Sequence, residues 1–132
     1  MTVATVRTNM AGALRTIAGL RASEYLTESV QPPHAMFDYE VEPDLTFARG
    51  ADVYKFTITV FCDRTAERPS QVFLDSLRDP SSSTGVKRTL EDNATLATVV
   101  DYVRVTRIGA VEIIPVGAVE YLAVKFDAEV VL

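Results

Sequence analysis

The stretch Arg49 to Leu77, RGADVYKFTITVFCDRTAERPSQVFLDSL, decides the fold. In its first half, Tyr54, Phe56, Ile58, Val60 and Cys62 fall on one face of an extended chain. Lys55, Thr57, Thr59 and Asp63 take the other face, with Val53 and Phe61. A period of two marks a strand with one side on a core, here Val53 to Asp63. The turn Asp63 to Arg68 then leads through Pro69, tolerated in a first helical turn, into Val72, Phe73, Leu74 and Leu77. That spacing predicts a short amphipathic helix ending near Pro80.

Toward the N-terminus, Gln31-Pro32-Pro33 interrupts regular structure, because proline lacks a backbone donor and restricts the residue before it. A second strand is expected just after, where Phe37, Tyr39 and Val41 alternate with Asp38, Glu40 and Glu42, one set facing a core and the other water. Asp44 to Gly50 then connects the two strands. Further back, Val3, Val6, Met10, Leu14, Ile17 and Leu20 recur at three- and four-residue steps, so a helix is predicted from Val3 to Leu20. Its opposite side carries Thr8, Gly12, Thr16 and Gly19, a small-residue face that either meets another helix or is tolerated at the surface.

Toward the C-terminus, Ser81 to Gly85 links to a one- or two-turn helix over Val86 to Glu91. Val99 to Ile108, with Val103 and Val105 on one face, predicts a strand, and so does Val119 to Leu132, with Leu122, Val124, Phe126, Ala128, Val130 and Leu132 on one face. Gly109 to Gly117 is expected to be the hairpin connection between them. It holds Val111, Ile113, Ile114 and Val116 around Pro115 where polar turn residues would be usual. Exposed, such a cluster marks an interaction surface; folded back, it would cover the core. The order helix, two strands, helix, short helix, two strands predicts one α+β domain over residues 1–132. Helices should pack on one face of a mostly antiparallel sheet.

Composition narrows the function classes. A chain of 132 residues with 48% hydrophobic and 23% charged content can bury an ordinary core. Its net charge of −5 argues against an electrostatic grip on nucleic acid or an anionic membrane. Charge is nonetheless uneven: the first 21 residues carry Arg7, Arg15 and Arg21 with no acid, whereas Asp38, Glu40, Glu42 and Asp44 crowd one segment. Such polarity suits head-to-tail contact between copies, or a solvated surface. Cys62 is the only cysteine, which points to a reducing compartment. No apolar run approaches the roughly 18 residues of a bilayer span, so neither export nor membrane insertion is expected.

Candidate chemistry is sparse. His34 and Cys62 are the only pair from which a nucleophile and base could be drawn, and they sit in no known motif. Cys62 falls on an apolar strand face, where a thiol behaves as a small hydrophobe. His34 follows two prolines, as a surface loop residue or one making a single backbone hydrogen bond. Gly85-Val86-Lys87 lacks the remaining residues of a phosphate loop. The acids from Asp38 to Asp44 lack the glycine and terminal glutamate of a calcium loop, which favours a solvated strand face. No catalytic residue, cofactor or metal is therefore assigned.

The ordered set of segments resembles the tail terminator proteins of long-tailed phages, particularly those of actinobacteria. The similarity covers most of the chain: Ile17-Ala18-Gly19-Leu20, Pro32-Pro33, Arg49-Gly50-Ala51-Asp52 and Tyr54 to Val60, then Leu74 to Leu77, Gly85 to Glu91, Val100 to Val105 and Val119 to Phe126. The resemblance implies a non-enzymatic virion protein, made in the host cytoplasm and placed at the head-tail junction. It would form a homohexameric ring that caps the tail tube protein, ends polymerisation and meets the head-tail connector protein. Six copies at −5 would carry −30, a lumen through which DNA slides without specific binding. Arg7 and Arg15, Asp38 and Glu40, and Ile113 and Ile114 are the candidate subunit or partner contacts, because a head-to-tail ring needs two different complementary patches on each copy. A neck or connector protein is the alternative within the same class. A small cytoplasmic enzyme or ligand-binding domain with a pocket over the sheet is the alternative from another class.

Overall fold

The computed structural model describes residues 3–26, 30–42, 52–64, 67–98, 100 and 102–131. Among these residues ten elements follow one another: α1 (Val3–Arg15), β1 (Arg21–Ser23), β2 (His34–Glu42), β3 (Val53–Asp63), α2 (Glu67–Arg78), α3 (Val86–Glu91), α4 (Ala94–Ala97), β4 (Tyr102–Ile108), β5 (Glu112–Val116) and β6 (Val119–Val131). The strands form one sheet in the order β1-β2-β3-β6-β4, with β5 also paired to β6. Every pairing is antiparallel except β1 with β2. This is the expected α+β fold. The loop expected over Asp44 to Gly50 lies outside the described residues, as do Val99 and Leu132 at strand ends.

The alternation of β3 and β6 sets the layers. Phe56, Ile58, Val60 and Cys62 on β3 join Leu122, Val124, Phe126, Ala128 and Val130 on β6 in the main core, with Ala35 and Phe37 from β2. From the helices, α1 contributes Val6, Met10 and Leu14, α2 Leu74 and Leu77, α3 Val86 and Leu90, and α4 Leu96. All these helices therefore cover the same face of the sheet. Phe37 and Phe56 meet edge to face, with ring centroids 5.9 Å apart, an arrangement aromatic quadrupoles favour.

The structure departs locally from expectation. Helix α1 stops at Arg15 rather than running to Leu20, because the chain turns at Gly19, whose φ of 81° is a left-handed conformation that suits glycine. Ile17 and Leu20 are still buried, so their apolar spacing reported burial beyond the point where it reported helix. Of the small-residue face, Gly12 is exposed, and a Cβ there would meet nothing within 4 Å, so no helix packs on that position.

The segment Gly109 to Gly117 is not wholly a connection. Glu112 to Val116 is a strand, and the turn is only Gly117-Ala118, between the paired Val116 and Val119, with Gly117 at φ 63°. Because β3 already pairs with Tyr121 to Val131, β4 and β5 follow one another along the opposite side of β6. The three-residue β1 and four-residue α4 are also additions to the expected order.

The lateral edges of the sheet are closed by side chains. Arg15 donates from Nε (3.2 Å) and Nη2 (2.9 Å) to the Ala22 carbonyl on β1. Where β1 ends, Arg7 Nη1 donates to the carbonyls of Glu24 (2.6 Å) and Phe37 (3.3 Å), and the Tyr39 N–H donates to Asp38 Oδ1 at 2.9 Å. On the far side the Val105 N–H of β4 donates to Glu91 Oε2 at 2.9 Å, and β5 carries Pro115, which has no N–H. Charged caps and proline are devices that keep edge strands from recruiting further strands.

Candidate functional site: the helix-free face and its hairpin arm

The face of the sheet without helices divides into an apolar end and a charged end. At the apolar end Met36, Phe61 and Ala123 are buried in a second small core, against which Val30, Ile114, Val116 and Tyr121 pack. At the other end the strand register lines up charged residues in rows across the sheet. One row runs Glu40, Lys55, Glu129, Arg104, alternating in sign over β2, β3, β6 and β4. A neighbouring row runs Asp38, Thr57, Asp127, Arg107. Opposite charges directly across a strand pair stabilise a sheet by roughly 0.2–1 kcal/mol per pair, so the rows support the fold as well as marking a polar surface. A shallow depression of about 330 Å³ lies over them, lined by Glu40, Lys55, Thr57, Thr106, Asp127 and Glu129 among others.

The β5–β6 arm exposes large aliphatic side chains. Its last two rungs, Pro115 with Glu120 and Val116 with Val119, stand beyond the end of β3, whose pairing stops at Asp63 with Tyr121. Ile113 is 53% exposed and Val119 51%, on opposite faces of the arm, whereas Ile114 leans into the second core. The segment thus covers a core with Ile114 and Val116 while Ile113 and Val119 stay exposed. Arg64 reaches from the end of β3 to pair with Glu120 and holds the arm's base.

The predicted contact residues take different places. Arg7 is only 7% exposed. Its guanidinium carbon sits 4.5 Å from the Tyr25 ring centroid and 5.0 Å from that of Tyr39, while Nη2 donates to Asp38 Oδ1 at 2.9 Å. Two residues expected on complementary patches of different copies therefore pair within one chain. Arg15 is exposed but tied to β1, and Asp38 keeps 57% of its side chain exposed despite the ion pair. Glu40, exposed, belongs to the charged row.

His34 and Cys62 are not brought together. His34 is the Cα partner of Phe61, so the adjacent Cys62 points to the opposite, helix-covered face. Burial, and then Asp63, push the Cys62 thiol up to about 11, and it stays protonated at neutral pH. His34 is not a loop residue but the first residue of β2, and it is buried. Its Nδ1 accepts from the Gln31 N–H at 3.3 Å, and its Nε2 lies 2.6 Å from Ser23 Oγ. With Nδ1 accepting, the neutral ring carries its proton on Nε2 and donates it to Ser23.

Burial, and then the positive charge of Arg21, lower the His34 pKa below 6.5. The unfolded chain therefore takes the proton first. The stability associated with neutral His34 is complete above pH 6.5 and falls as pH drops through that value. Urea unfolding between pH 7.5 and 5.5 is expected to show a falling midpoint in the wild type and a flatter profile in His34→Gln; parallel profiles would exclude His34 as the source.

Among the described residues no group of three His, Cys, Asp or Glu is placed to hold a metal ion, and no helix is long and apolar enough to cross a membrane. No protein-family model and no curated protein matches the chain.

Proposed function

We propose that the chain is a phage tail terminator, a structural subunit that assembles as a ring on the finished tail tube, ends its polymerisation and presents its other face to the head connector. The observation that carries this reading is the β5–β6 arm, which holds Val119 in solvent beyond the last rung of β3 and Ile113 in solvent one rung before it. Exposed aliphatic groups on a protruding hairpin suit contact with another protein better than contact with water. The ordered sequence resemblance supplies the identity of the assembly. A ligand-binding domain is the competing reading, favoured by the depression over the charged rows; it predicts a stable monomer whose melting temperature rises with a small molecule.

The test is negative-stain imaging of particles from a phage that encodes this chain but fails to make it. Overlong tails without heads are the expected result. Tails of normal length that lack heads would replace the terminator with a connector. Normal virions would remove the assembly reading altogether.

A further inference from the structure

Three rows of the helix-free face end in opposite charges at the two sides of the sheet. One row begins with Arg21 on β1 and passes through His34, Phe61 and Ala123 to Glu112 on β5. The row of Asp38 ends in Arg107, and the row of Glu40 ends in Arg104. Along the β1/β2 side the order is therefore positive, negative, negative. Along the β5/β4 side, at the same heights, it is negative, positive, positive.

We infer that these two sides are the halves of one contact between copies of this chain, with Arg21 facing Glu112, Asp38 facing Arg107 and Glu40 facing Arg104 of the next copy. Strand direction agrees. Each of β2, β3 and β6 runs antiparallel to the next, and β4 and β5 run antiparallel to β6, so β4 and β5 run opposite to β1 and β2. A second copy set alongside continues the alternation and brings the three charge pairs to matching heights, with Arg21 one strand farther out than Asp38 and Glu40, and with Asp38 offering the 57% of its side chain that its pair with Arg7 leaves exposed.

The apolar surface has the same distribution. Among the described residues seven large apolar side chains are exposed. Tyr25, Leu26 and Val41 lie on the β1/β2 side, and Tyr102, Ile113 and Val119 lie on β4 and the arm, leaving only Val72 elsewhere. Each side thus offers apolar area beside its charges, the composition of a specific interface. Because Arg15, Arg7, Asp38 and Glu91 already engage outward backbone groups of the edges, the copies join through side chains rather than by extending the backbone ladder. The contact is heterologous, the type from which rings close. It deepens the ring assembly proposed above and rests on it for the identity of the partner.

The test uses the purified full chain in sedimentation velocity, with charge reversal on either side. Arg21→Glu and Glu112→Arg each put like charges across the contact and are expected to weaken self-association by about tenfold or more. Mixing the two variants is expected to restore association, since each reversed side then meets an opposite charge again. Both side chains are exposed, and circular dichroism melts check that the variants fold. If reversal unfolds either chain, the milder Arg21→Gln and Glu112→Gln pair is used, with weaker association again the expected result. Association of the wild type should also decline as salt is raised from about 50 to 500 mM, because exposed charges are screened.

A wild type that stays monomeric at all concentrations, single variants that associate normally, or a mixture no better than its components would overturn the contact. The tail-length experiment fails independently: normal tails alongside reversible charge-dependent association would remove the terminator role and leave this contact standing.

Discussion

Phe126→Ala is expected to lower the free energy of unfolding by about 3–5 kcal/mol, the largest effect of any single truncation considered, as read from the midpoint of urea unfolding. Phe126 is fully buried at the centre of β6, the strand paired with β3 on one side and with β4 and β5 on the other. Its Cα partners are Ile58 and Ile108, so truncation opens a cavity between two strands that both depend on β6 for their place. Relaxation is restricted because the flanking residues are held by ladder bonds and the core above them is already filled. A loss comparable to a partly exposed position, below about 1.5 kcal/mol, would show that the helices collapse into the gap.

Arg7→Ala is expected to cost about 2–4 kcal/mol, measured the same way, and the reason is different. Nothing apolar is lost from the main core, but one guanidinium holds the Glu24 and Phe37 carbonyls, the Asp38 carboxylate and the faces of Tyr25 and Tyr39. Charge-assisted hydrogen bonds in a buried setting contribute about 1.5–3 kcal/mol, and the stacked rings add a further fraction. Arg7→Lys is expected to recover only part of the loss, since an ammonium cannot fork between a carboxylate and two carbonyls. Asp38→Asn, at a half-exposed partner, should cost less than about 1 kcal/mol. If Arg7→Ala and Asp38→Asn were equally mild, the cluster would be a surface ion pair rather than the clasp between α1 and β2.

Most of the fold was legible because most of it obeys one period at a time. The β3 and β6 alternation named the core face residue by residue, and Val86–Glu91 appeared where its apolar pair Val86 and Leu90 put it. What escaped was short or doubly used. A strand of three residues cannot show a period. In β5, Ile113 and Ile114 are both aliphatic because one faces solvent on the arm and the other faces the second core, so alternation is absent.

The candidate site was legible only in part. The acidic run on β2 was visible, but its counterparts Arg104 and Arg107 lie scattered in the sequence and become a matching edge only through the register across four strands. Arg7 was misplaced for a related reason: a basic residue on a helix looks like surface until the helix is known to lie across an open strand edge. The arginine spacing alone held no signal for that. Tyr25 and Tyr39, the rings that flank it, would have been the clue.

In the assembly proposed above, the capped edges bear on how errors of placement are corrected. Subunits that join by shared backbone hydrogen bonds template one another, and a wrongly placed strand is released slowly. With Arg7, Arg15, Asp38 and Glu91 occupying those groups and Pro115 lacking a donor, a copy that lands out of register is held only by mismatched side chains. It can let go and try again, and only the placement that satisfies all three charge pairs persists.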